Sequence, residues 1–139
     1  MIIAIPKERR PGEKRVAATA DTVKKLVGLG QKVVVENGAG AGANFPDQFY
    51  TDAGAEIAAD EAACLKQADV VFKVQRPLTA AEGGPDELSL MKPGAMLVAI
   101  LAPLQQKEQV QAYATAKVNA FAMELMPRIT RAQSMDVLS

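Results

Sequence analysis

No histidine occurs among the 139 residues of this chain. That removes the side chain most often used to move protons near neutral pH, and the commonest nitrogen ligand for a metal. A single cysteine, Cys64, rules out an internal disulfide. It sits in a helix-like stretch, where a free cysteine behaves as a small core residue rather than a nucleophile. Charge of one sign is also missing: Lys plus Arg is 16 and Asp plus Glu is 16. The chain therefore offers no net field for nucleic acid or an anionic membrane. Long apolar runs are absent as well. The opening MIIAIPKERR reaches its charges too soon for a signal peptide, and no run approaches the roughly 20 apolar residues of a membrane helix. A cytosolic setting is the expectation that remains.

What is present is enough apolar material for a core. Hydrophobic residues make up 49% of the chain, too many for disorder, and the length suits one domain. Ile2 to Ile5 reads as a short buried strand, ended by Pro6. A charged loop from Lys7 to Arg15 follows, with Pro11-Gly12 as a turn. Thr19 is a good N-cap, with Asp21 in the first turn, and Val23, Leu26 and Val27 form the apolar face of a helix that Gly28 and Gly30 end. Gln31 to Glu36 is a second strand, whose three consecutive valines imply burial on both faces, as in a parallel sheet.

Gly38 to Ala43 is a glycine loop. Pro46 opens a short helix to about Asp52, closed by Gly54. Ala55 to Ala58 forms a minor strand, and Asp60 caps a helix to about Gln67. Val70 to Val74 is a strand. Pro85 opens a short helix to about Met91. Met96 to Leu101 is the next strand, Gln105 to Lys117 a helix with Val110 and Tyr113 facing inward, and Val118 to Met123 the last strand. Apolar strands alternating with helices predict a parallel sheet with right-handed crossovers, an α/β three-layer sandwich with helices on both faces. Neither an internal repeat nor a linker interrupts the pattern before a candidate boundary near Met126.

Three constellations carry candidate chemistry. Gly38, Gly40 and Ala43 satisfy G-x-G-x-x-G/A after a strand, and Asp60 lies roughly 20 residues on. The loop nevertheless continues through Asn44 and Phe45 before any helix, so its amides do not merge into a helix N-terminus. Asp47 occupies that first turn and would repel a pyrophosphate. A turn that needs glycine for positive φ is the preferred reading. The second is the basic loop of Lys7, Arg9, Arg10, Lys14 and Arg15, partly cancelled by Glu8 and Glu13 and read as a solvated surface loop.

The third is the stretch MELMPRITRAQSMDVLS, Met123 to Ser139, where a buried strand turns at Pro127 and offers Arg128, Gln133, Asp136 and Ser139 in quick succession. An amide that both donates and accepts, an arginine with fixed donors and an aspartate to orient it suit the carboxamide of a nicotinamide ring. Thr130 to Gln133 also reads as a capping box, with Asp136 and Arg128 an ordinary surface pair. Both readings stand on spacing alone.

Four separated motifs carry a resemblance that runs the length of the chain. IPKERRPGEKRVAATADTV (residues 5–23) resembles the opening shared by alanine dehydrogenases and the soluble α-subunit of proton-translocating NAD(P) transhydrogenases. VFKVQRP (71–77) and GAMLVAILAPLQ (94–105) also fit, and PRITRAQSMDVLS (127–139) is similar to the nicotinamide-contacting loop of the transhydrogenase subunit. The resemblance implies a flavodoxin- or Rossmann-like N-terminal domain over residues 1–126. Residues 127–139 would be the nicotinamide-contacting loop and the start of a linking helix, with the NAD-binding Rossmann domain elsewhere.

It further implies hydride transfer from NADH to NADP⁺ coupled to proton translocation, with Arg128, Gln133, Asp136 and Ser139 on NAD(H). NADP(H) would be held by a partner subunit, and no side chain would act as acid or base. The implied partners are a β-subunit and membrane domain, in a homodimer lying peripherally on the inner face of the cytoplasmic membrane. In alanine dehydrogenases an arginine at the position of Arg15 binds the substrate carboxylate, beside a lysine and a histidine. Gln75 and Ala102 stand at those two positions here, so Arg15 is read as structural. An alanine dehydrogenase-like oxidoreductase and a non-catalytic ligand-binding or dimerisation module are the rival readings.

Overall fold

A computed structural model describes residues 1–82, 86–101 and 105–125. The strands are β1 (Ile2–Ile5), β2 (Lys32–Glu36), β3 (Glu56–Ala58), β4 (Val70–Gln75), β5 (Met96–Ile100) and β6 (Asn119–Ala122). They form one six-stranded sheet in the order β3-β2-β1-β4-β5-β6, and every neighbouring pair is parallel. The apolar runs lie where the sequence places them, and the minor run at 55–58 is a true edge strand. The helices are α1 (Ala20–Gly28), α2 (Asp47–Asp52), α3 (Glu61–Leu65) and α4 (Lys107–Thr115).

The pleat explains the two cores. Side chains alternate across a strand, so Ile5, Val33, Val35 and Val74 face α1 and α2 with Tyr50 and Val23. Ala4, Val71, Leu97 and Ala99 face the other side with Leu65, Leu88 and Tyr113. Val34, the middle valine of β2, packs into this second core while its two neighbours pack into the first. Three valines in a row are therefore used on both faces, as expected for a strand covered twice.

Helix ends follow local chemistry. The Thr19 hydroxyl accepts from the Thr22 amide at α1 and the Asp60 carboxylate from the Ala63 amide at α3. The short helix expected before Met91 is of the 3-10 kind, over Glu87–Leu90. One expectation needs correction. On α4 the inward face is Gln109 and Tyr113, whereas Val110 is 45% exposed. Gln109 is drawn inward because its amide bonds to the Glu82 carboxylate and accepts from the Tyr113 hydroxyl, and satisfied polar groups bury readily.

Candidate functional site at the head of the sheet

The strand order reverses between β1 and β4. In an open parallel sheet, the crevice at the carboxyl ends of the strands on either side of such a reversal is the usual ligand site. Here it is built by the loop after β1 (residues 6–19) and the chain leaving β4. Pro6, fully buried, stops β1, while β4 runs on to Gln75. The Val74 and Gln75 amides are instead received by the two oxygens of buried Glu8, at 3.0 and 3.1 Å. Lys73, on the face of β4 opposite Val74, is fully buried and lies 3.4 Å from Glu8 and 3.6 Å from Glu87.

The charged loop is not a solvated surface loop, and that expectation is overturned for most of its charges. Arg10 donates to the Arg76 and Pro77 carbonyls at 2.7 and 2.9 Å and forks onto Glu82 at 2.8 and 3.1 Å. Arg10 and Gln109 together hold the Glu82 carboxyl down at about 2. Arg9 bridges two elements, pairing with Glu36 at the end of β2 and with Glu61 at the start of α3 at 3.0 Å. Its guanidinium is held charged chiefly by the Glu36 hydrogen bond. The reason is geometric: arginine forks fit carboxylates and carbonyls that the ends of adjacent strands bring together. Lys7, Lys14 and Arg15 are the exposed cations of the loop.

Arg15 and Gln75 are brought together through Glu13. Arg15 forks onto the Glu13 carboxylate at 2.9 and 2.8 Å, and the Gln75 amide donates to the same carboxylate at 2.9 Å. These bonds, Arg15's first, hold the Glu13 carboxyl at about 2. Arg15 is thus occupied within the chain, as a structural reading requires, although its side chain is still 54% exposed at the crevice.

The glycine loop is not shaped as a phosphate cradle. Four of its amides are spent internally: Gly38 donates to Asp47 Oδ1 at 2.9 Å, Ala39 to the Glu36 carbonyl, Ala41 to Gly38 and Ala43 to Gly40. Gly38 has φ +78°, the turn requirement expected, but Gly42 answers to a different one. A Cβ there would lie 2.9 Å from the Lys14 carbonyl oxygen, so the loop packs backbone to backbone on the β1 loop. The described residues therefore do not fit a dinucleotide pyrophosphate at this loop.

Cys64 is a core residue as expected; its thiol is buried beside the Val34 carbonyl and pushed up to about 12, chiefly by that burial. Among the described residues no acidic or cysteine group is arranged to hold a metal ion, and no helix is long and apolar enough to cross a membrane. Arg128, Gln133, Asp136 and Ser139, like Ala102, lie outside the described residues. What the sequence reading missed is the buried cluster of Glu8, Glu36, Glu61, Lys73 and Glu87. One signal for it was available: Lys73 stands between Phe72 and Val74 inside an apolar strand, where a cation needs buried partners.

Residues 4–139 match the family described as alanine dehydrogenase/PNT, N-terminal domain. The first part of NAD(P) transhydrogenase subunit alpha from Rhodospirillum rubrum is 60% identical over 139 residues, all of this chain and 36% of that protein. Alanine dehydrogenase of Bacillus subtilis is 39% identical over 124 residues, 89% of this chain and 31% of its own length. The crystal structure of transhydrogenase from Sinorhizobium meliloti superposes with a TM-score of 0.87 at 50% identity, over 99% of this chain and 38% of that one. The chain thus spans about a third of the length of these relatives. It belongs to the alanine dehydrogenase/PNT N-terminal domain family.

Proposed function

We propose that this chain is the opening portion of the NAD(H)-binding component of a proton-translocating transhydrogenase, passing hydride from NADH to NADP⁺ bound on a β-subunit. The observation that carries the proposal is the 60% identity to a transhydrogenase α-subunit over every residue of the chain. The crevice chemistry supports it. Gln75, bonded to Glu13, replaces the lysine that an alanine dehydrogenase would use, and a glutamine amide cannot take up or give up a proton as an amine does. Hydride transfer between two cofactors needs two rings held in line with water excluded, and no side-chain acid or base.

In this reading residues 127–139 form the nicotinamide loop, with Arg128, Gln133, Asp136 and Ser139 on the ring and its carboxamide. The pyrophosphate is held elsewhere in a longer protein. A homodimer reaching the inner face of the membrane through its partner subunits completes the proposal.

The test is made in the complete α-subunit with its β-subunit. Arg128→Ala, Gln133→Ala and Asp136→Ala are expected to slow NADH-to-NADP⁺ transfer on the order of 100-fold, the cost of displacing a reacting ring by about 1 Å. Melting temperature should move little. Normal turnover in all three variants would reduce the loop to a hinge with a capping box. NAD-dependent oxidation of alanine by the unmodified protein would overturn the transhydrogenase reading in favour of its dehydrogenase relative.

A further inference from the structure

Beneath the crevice lies a buried charge cluster that the proposed hydride chemistry does not use. Elements far apart in the chain assemble it. Glu8 and Arg9 come from the loop after β1, Glu36 from β2, Glu61 from α3, Lys73 from β4 and Glu87 from the 3-10 turn at 87–90. Glu8, Glu36, Glu61, Lys73 and Glu87 are each at least nine-tenths buried. The two cations, Arg9 and Lys73, face four carboxylates, so full ionisation would leave two uncompensated negative charges in the interior. Buried charge without compensation is resolved by pairing or by protonation.

The hydrogen bonds locate where protonation is needed. Glu87 Oε1 accepts from the Leu78 amide at 2.7 Å. Glu87 Oε2 is buried and no N–H among the described residues donates to it; Lys73 Nζ, at 3.6 Å, is beyond hydrogen-bonding distance. The side chain that faces Glu87 as a hydrogen-bonding partner is the Glu61 carboxyl. Glu61 Oε2 accepts from Arg9 at 3.0 Å, which leaves its other oxygen to carry a proton. A proton on that carboxyl would give the pair the O–H donor that two ionised carboxylates lack.

We infer that Glu61 and Glu87 bind one proton between them, and that this proton latches α3 to the segment after β4. The proton comes from solvent and returns to it, and no other species is consumed. When it leaves, two carboxylates face each other, and their repulsion acts on contacts they both make. Glu61 holds Arg9 of the β1 loop, and Glu87 holds Leu78 of the β4 loop. Both rims of the crevice are therefore tied to one protonation event. Burial first, and then the facing Glu87, raise the Glu61 carboxyl. Burial acts the same way on Glu87, but the Glu61 hydrogen bond, Lys73, the Leu78 amide and Arg9 outweigh it and hold that carboxyl down. The asymmetry places the proton on Glu61 in a pair that titrates as a unit. The latch operates whether or not the protein is a transhydrogenase.

The experiment is infrared difference spectroscopy of the intact chain labelled with ¹³C at the glutamate side-chain carboxyl, titrated from mildly acid to alkaline pH. A protonated glutamic acid carbonyl band is expected at neutral pH, lost reversibly as the pH rises beyond about 8. Glu61→Gln and Glu87→Gln, which each supply a permanent amide donor, should both abolish the band at neutral pH. Hydrogen exchange at the Leu78 amide, corrected for its intrinsic pH dependence, should accelerate over the same interval in the unmodified chain and not in Glu61→Gln. Absence of any protonated glutamic acid at neutral pH would overturn the inference, and so would a band that survives both substitutions. Leu78 exchange that follows only the intrinsic pH dependence would overturn the latch. The titration of the unmodified chain decides the matter even if a variant fails to fold.

Discussion

Glu8→Ala should be the most damaging single truncation of a charged residue in the β1 loop. The substitution removes the acceptor of two backbone amides, Val74 and Gln75, and one partner of buried Lys73. Breaking a buried ion pair from one side costs about 3–5 kcal/mol, because the remaining charge stays buried. An orphaned buried amide adds about 1 kcal/mol or more, less whatever water regains in the vacated space. The sum, roughly 5 kcal/mol, is comparable to the whole stability of a modest domain, about 5–15 kcal/mol. Glu8→Gln keeps the volume and one acceptor oxygen and should cost only about 2 kcal/mol.

Lys73→Met leaves Glu8 and Glu87 without their cation and should cost about 3–5 kcal/mol. Combined with Glu8→Gln it should cost at least about 1 kcal/mol less than the two singles added, since each single strands a charge that the pair removes together. Urea denaturation followed by circular dichroism measures all four, provided the slope with denaturant is unchanged. A Glu8→Ala variant within about 1 kcal/mol of the parent would refute the reasoning, as would strict additivity of the pair. Either result would mean that water reaches Lys73.

Gly42→Ala should destabilise by about 1–3 kcal/mol, an overpacking cost, because the added methyl would press on the Lys14 backbone, which cannot rotate away; a loss below a few tenths in the same urea assay would mean that the loops part freely. The pH profile of stability should slope in opposite directions on its two sides. Glu13 and Glu82, held at about 2 by Arg15 and Arg10 respectively, contribute stability that is complete above the ordinary carboxylate range and lost as pH falls toward 2. Glu61, raised to about 8 chiefly by burial, contributes stability that is complete below the ordinary range and lost as pH rises through 8. Urea midpoints should therefore peak under mildly acid conditions, and Glu61→Gln should flatten the alkaline side alone.

The sheet was legible because its signal is local. Each strand is a continuous apolar run bounded by proline, glycine or charge, and burial on both faces writes itself as consecutive valines in β2. Capping was equally local, at Thr19 and Asp60. The misreading of α4 came from periodicity alone. Val110 and Tyr113 share a helical face by spacing, as do Gln109 and Tyr113 by a different spacing, and only the arrival of Glu82, 27 residues earlier, favours the polar choice. The charged loop failed for the same reason. Arg9 reads as solvated next to Glu8 and Arg10, yet its partners are Glu36 and Glu61, and Arg10's are Arg76, Pro77 and Glu82. Partners that far apart in sequence meet only after the strands are ordered side by side, and no window of local pattern contains them.

The same distance separates the two kinds of chemistry at the head of the sheet. At the crevice surface, Glu13 is held down near 2, Arg15 is held charged chiefly by its bond to Glu13, and Gln75 does not titrate. None of these three groups exchanges a proton near neutral pH. A keto-acid reduction needs such a group at the reacting carbon, whereas a hydride passed from one nicotinamide to another is harmed by one, since a stray proton donor invites side reactions. The carboxyl that is raised toward neutral titration, Glu61, lies with its partner Glu87 one layer below, behind Arg9 and Leu78. A proton bound there changes the charge under the crevice without touching what occupies it. In the proposed reading, Gln75 in place of a dehydrogenase lysine and burial of the carboxyl pair act in one direction: they would keep proton chemistry out of the cleft while leaving its rims mechanically coupled to a proton.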